Sequence, residues 1–101
     1  MKKKILLVDD SKSIRTELSK ILIDNDYEVI EAENGQEGLE KIHSNLDISL
    51  IISDINMPVM DGMTMSAQIY KDEKINKIPL FILTTEISED LKKRAKKCGV
   101  L

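Results

Sequence analysis

Three short apolar runs, at residues 5–8, 50–52 and 80–83, punctuate the chain, and each runs straight into carboxylate or hydroxyl side chains: Asp9, Ser53 and Asp54, and Thr84. A run of three or four apolar residues is too short for a buried helix but suits a strand covered on both faces. Between the runs, apolar residues recur at helical spacing, so the chain reads as alternating strands and helices, the pattern of a parallel sheet wrapped by helices.

The expected order is β-α-β-α-β-α-β-α. The first strand is Lys4–Val8, and a helix over Lys12–Asp24 follows, with Ser11 as N-cap and Ile14, Leu18, Ile21 and Leu22 as its apolar stripe. Residues 27–32 form the second strand, and residues 35–44 a helix buried through Leu39 and Ile42. Residues 50–53 and 80–83 are strands three and four. The helix between them has no single clean stripe among Met63, Met65, Ala67, Ile69 and Tyr70, but Gly62 and Pro79 bracket it. A last helix is capped by Ser88, carries Glu89 and Asp90 at its positive end, faces inward through Leu91, Ala95 and Cys98, and stops at Gly99.

With 101 residues and 42% hydrophobic content the chain can bury one core, which predicts a single domain over residues 1–101. A net charge of −3 offers no basic surface for nucleic acid or anionic membrane. The lone Cys98 has no internal disulfide partner, and the apolar run after the three N-terminal lysines is too short for a signal peptide or a membrane span. The expected location is the cytoplasm.

Strands in a parallel sheet with helical crossovers all point one way, and ligands bind beyond their carboxyl ends. That places Asp9, Asp10, Asp54, Thr84 and Thr85 on one rim. Three carboxylates this close raise one another's pKa and call for a proton or a cation. Mg2+ suits them, because it takes one or two carboxylates and completes its shell with water and phosphate oxygens. Asp10 and Asp54 are the expected direct ligands, the Asn56 backbone carbonyl a third, and Asp9 a ligand through water. Taken singly, each acid fits a helix cap or a solvated strand end equally well. A carboxylate beside Mg2+ is also a competent nucleophile towards a phosphoryl group, and Thr84 can then donate a hydrogen bond to a phosphoryl oxygen.

The motifs ILLVDDS, SDINMPVMDG and FILTTE, in that order after three expected strands, resemble the receiver domains of two-component response regulators, the CheY-like chemotaxis type most closely. The resemblance spans the chain. It implies an α/β fold, a flavodoxin-like (CheY-like) doubly wound parallel sheet with strand order 2-1-3-4-5, here truncated to about four strands and four helices. By position, Asp54 matches the phosphoacceptor, Asp9 and Asp10 the acidic pair, Asn56 the carbonyl donor to Mg2+, and Thr84 the switch hydroxyl. Asn56 and Glu86 resemble positions that govern the lifetime of the phosphorylated state, while Thr85 stands where a smaller residue is common. The implied role is a phosphoacceptor switch charged by a histidine kinase and read by an output protein such as a flagellar motor switch component, with at most self-phosphorylation and self-dephosphorylation as enzyme activity.

The family pattern continues into a fifth strand bearing a Lys-Pro pair and a fifth helix, which do not follow here, so the domain is expected to be incomplete at its C-terminus and to lack the phosphate-contacting lysine. Strand four then has a free edge, which predicts a homo-oligomer or strand-swapped assembly. The competing expectation is a degenerate or truncated receiver that acts as a docking or assembly module without phosphotransfer. A phosphohydrolase would want an acid at Asn56, and flavin binding would want a first turn other than Asp9-Asp10-Ser11-Lys12-Ser13. His43 is expected on the polar side of the second helix and Cys98 in the core.

Overall fold

A computed structural model of the chain describes residues 2–83. Strands β1 (Lys4–Val8), β2 (Glu28–Ala32), β3 (Ile48–Ser53) and β4 (Leu80–Ile82) alternate with helices α1 (Lys12–Asp24), α2 (Gly35–Ser44) and α3 (Gly62–Lys71). All strand pairings are parallel, and the order is β2-β1-β3-β4. This is the expected doubly wound sheet. The expected fourth helix, with Ser88 and Cys98, lies outside the described residues.

Central β1 is buried from Ile5 to Val8, as a strand covered on both faces must be. Successive side chains alternate between faces. Leu6 and Val8 join Ile51, Leu80, Leu39, Ile42, Met65, Ile69 and Ile75 in the main core beneath α2 and α3. In α3 the buried residues are Gly62, Met63, Met65, Ser66 and Ile69, while Tyr70 is exposed. Among the described residues, no helix is long and apolar enough to cross a membrane.

Helix α1 departs from expectation in half of its apolar stripe. Its N-cap is Ser11, whose Oγ accepts from the Ile14 amide at 3.4 Å, but its buried residues are Arg15 and Ser19. Ile14 and Ile21 are 42% and 57% exposed. At about 100° per residue they lie roughly 100° round the helix from the Arg15, Ser19 and Leu22 face. The helix therefore sits against β1 and β2 on a face that carries the half-buried Leu18 and Leu22 of the expected stripe together with Ser19 and Arg15. The expected stripe is thus split, with Leu18 and Leu22 half-buried and Ile14 and Ile21 exposed. Two strand starts also differ, since β2 begins at Glu28 rather than Tyr27, and β3 at Ile48 rather than Leu50.

Candidate functional site: an acidic rim at the carboxyl ends of β1 and β3

The register of the sheet builds the site. Val8 pairs with Ser53 on one side and Ala32 on the other, so Asp9 and Asp54 are the first residues beyond the ladder on adjacent strands. The ladder extends just far enough to hold both, with the Asp54 amide donating to the Val8 carbonyl at 2.9 Å and the Asp9 amide to the Ala32 carbonyl at 3.0 Å. The turn into α1 then adds Asp10. One carboxylate oxygen from each of Asp9, Asp10 and Asp54 lies within 4.8 Å of the others. The convergence expected from the strand ends is present.

These acids differ in surroundings. Asp9 is buried, Asp54 half-buried and Asp10 exposed. Burial pushes the Asp9 carboxyl above the usual carboxylate range, and the neighbouring Asp54 and Asp10 charges push the same way, against the Ser11 amide that donates to Oδ1 at 2.9 Å. Among the described residues none of the three forms an ion pair. An all-oxygen donor set with uncompensated negative charge fits a hard divalent cation such as Mg2+.

The loop after Asp54 is closely tied. The Ile55 amide donates to Asp54 Oδ1 at 2.8 Å, and Ser53 Oγ donates to the Asp54 carbonyl at 2.7 Å. Gly62 folds back over this carbonyl and donates its amide to Ile55 at 2.8 Å; a Cβ at Gly62 would collide with the Asp54 oxygen. Asp61 caps α3 by accepting from the Thr64 amide at 2.7 Å. On the far side, the Gly35 amide at the start of α2 donates to the Met60 carbonyl at 2.8 Å. Val59, at the loop tip, is 83% exposed and has a φ of 68°, a left-handed conformation that a β-branched residue adopts only under strain. Asn56 is exposed in the same loop.

Thr84, Thr85 and Glu86 lie outside the described residues. His43 is on the surface, as expected, where its Nε2 meets Asp72 Oδ2 at 3.5 Å between the ends of α2 and α3. One residue near the rim was not anticipated. Arg15 donates from Nη1 to the Asp9 carbonyl at 2.6 Å, and pairs through Nε with Glu31 at 3.1 Å and through Nη2 with Glu33 at 3.8 Å. The available signal was helical spacing, since Arg15 falls one turn past the Ser11 cap, in line with Ser19 and Leu22.

Comparison with known proteins decides the family, because the response regulator receiver domain matches residues 5–101. The chain belongs to the response regulator receiver family. The receiver is 38% identical over 98 residues to chemotaxis protein CheY1 of Helicobacter pylori, covering 96% of this chain and 79% of that one. It superposes on the chemotaxis protein CheY4 of Vibrio cholerae with a TM-score of 0.93 at 39% identity, over 99% of this chain and 82% of that one. A structure of the phosphorylated cyanobacterial phytochrome response regulator RcpA gives a TM-score of 0.88 at 29% identity, over 99% and 77%. The receiver is accordingly a phosphoacceptor switch of two-component signalling, a signalling element rather than a conventional enzyme.

Proposed function

We propose that Asp54 is the phosphoacceptor, that Asp10, Asp54 and the Asn56 carbonyl hold Mg2+ with Asp9 acting through water, and that Thr84 is the switch hydroxyl. The observation that carries this reading is the convergence of three carboxylates without an ion-pair partner among the described residues. Asp54 has the exposure an acceptor needs, while its Oδ1 is oriented by the Ile55 amide. A carboxylate oxygen of Asp54 attacks the phosphorus of a kinase phosphohistidine; the new O–P bond forms as the P–N bond breaks, and the imidazole leaves with its electron pair. Mg2+, when bound, supplies the positive charge that lets a phosphoryl group approach three acids. Asp9 and Asp10 hold that charge at the rim, and the Gly62 and Ser53 contacts keep the Asp54 backbone from retreating.

The partner on the input side is a histidine kinase. On the output side, likeness to two chemotaxis proteins supports a chemotaxis-type role with a motor switch component as reader. Self-phosphorylation from small donors and self-dephosphorylation at Asp54 belong to the same proposal, as does a cytoplasmic site of action. Among the described residues β4 pairs only with β3, which supports its outer edge as the place where a further strand, from the receiver itself or a second copy, completes the sheet. The complete acid trio favours the switch over a docking module that has lost phosphotransfer.

Acetyl phosphate or beryllofluoride, added with Mg2+ to the isotope-labelled chain, tests the assignment. Amide resonances around Asp54 and Met60 are expected to shift, and Asp54→Asn to abolish the response. An equal response in Asp54→Asn refutes it.

A further inference from the structure

We infer that Arg15 is a positioning residue for the acidic rim: its guanidinium clamps the Asp9 carbonyl and so sets how the Asp9 and Asp10 carboxylates face Asp54. The effect on cation binding rests on the function proposed above; the positional role does not.

The peptide at issue joins two members of the trio, so rotating its carbonyl would swing both carboxylates. Asp9 is held at three points, by its amide to Ala32, by its carboxylate accepting from Ser11, and by its carbonyl accepting from Arg15. The first two bonds are made by backbone amides that secondary structure holds in place. The third depends on a side chain, and at 2.6 Å in a buried setting it is a charge-assisted bond. Without it, a buried carbonyl would lose its partner and have reason to turn.

The arrangement of charge argues for positioning rather than neutralisation. The Arg15 side chain is only 9% exposed, and its ion pairs go to Glu31 in β2 and Glu33 just beyond it, and not to Asp9, Asp10 or Asp54. A cation paired with the trio would compete with a metal for the same oxygens. Glu31 and Glu33 instead balance the guanidinium from the far side, leaving the trio's charge available. A planar fork with several donors can serve the carbonyl and both glutamates together; an ammonium group cannot hold that geometry.

The test uses Arg15→Met, Arg15→Lys and, as a core control at the opposite end of the sheet, Ile48→Val. Without metal, backbone order parameters at Asp9, Asp10 and Ser11 are expected to fall in Arg15→Met, to recover partly in Arg15→Lys, and to stay unchanged in Ile48→Val. Titration with Mg2+ alone is expected to show binding weakened about tenfold in Arg15→Met, the usual scale for a residue that orients metal ligands. Unchanged order parameters, or Mg2+ affinity no weaker than in Ile48→Val, overturn the inference. If Arg15→Met does not fold, Arg15→Lys is read by the same two criteria. A parent chain that binds no Mg2+ sinks the metal assignment, and the metal-free order parameters then decide Arg15 by themselves.

Discussion

Gly62 sits directly over the Asp54 carbonyl, close enough that no side chain fits between the start of α3 and this peptide. Gly62→Ala must therefore push Asp54 or the helix aside. The expected cost is about 2–3 kcal/mol of stability, the scale of overpacking against backbone that cannot yield. Urea denaturation measures it. A loss under about 0.5 kcal/mol, the range of an ordinary surface substitution, would show that the contact is not rigid.

Mg2+ should stabilise the folded chain, because the trio exists as a cluster only when β1 and β3 are paired. At about ten times its dissociation constant, a ligand bound only by the folded state adds about 1.4 kcal/mol. Thermal unfolding with and without Mg2+ is expected to show this gain in the parent and its near-complete loss in Asp10→Asn. Equal gains in both chains would remove Asp10 from the ligand set.

Strain at Val59 can be relieved. Asn tolerates the left-handed region that a β-branched residue resists, and position 59 is open to solvent. Val59→Asn is expected to raise stability by about 1 kcal/mol, the lower end of the left-handed penalty. The denaturant midpoint should rise with the slope unchanged, and a fall in the midpoint would mean that Val59 makes a contact worth more than the strain.

The protonation of Asp9 gives the metal-free chain a pH dependence of known sign. Its carboxyl is raised above the ordinary 3.8 in the folded state, so folded chains bind the proton more tightly than unfolded ones. The charged form is destabilising above the raised pKa. As pH falls through that value towards 3.8, folding takes up a proton and this group's penalty disappears. Asp9→Asn, which carries no such charge, should be more stable than the parent near neutral pH, with the gap closing on acidification. A gap that widens on acidification contradicts the assignment.

Much of this site was legible in the sequence because short apolar runs fix where parallel strands end. Asp9 and Asp54 follow such runs directly, and parallel pairing brings them to one edge whatever the helices do. The facing of α1 was legible only in part. Of its apolar stripe, Leu18 and Leu22 are half-buried while Ile14 and Ile21 are exposed, and the face against the sheet also holds Ser19, small enough for close approach, and Arg15, whose stem packs while its head reaches the Asp9 carbonyl. Hydrophobic patterning cannot favour an arginine, because its reason for being inside is a partner contributed by another segment. The loop after Asp54 was half readable: Gly62 announced a close approach, but only the structure names the Asp54 carbonyl as what it approaches.

The one irregularity in the β1–β3 ladder lies at the opposite end from the acids, between Lys4 and Ile5, where Ser49 is passed over in the pairing. From Ile5 to Val8 the two strands then advance in step, like the scales of a vernier, up to the carboxylates. An extra residue near Ile48 can be taken up in that slack, whereas one inserted after Leu50 would carry Asp54 about 3.3 Å along and turn it to the other face of the sheet. Length variation in a lineage of such chains should gather at the slack end and leave the other untouched.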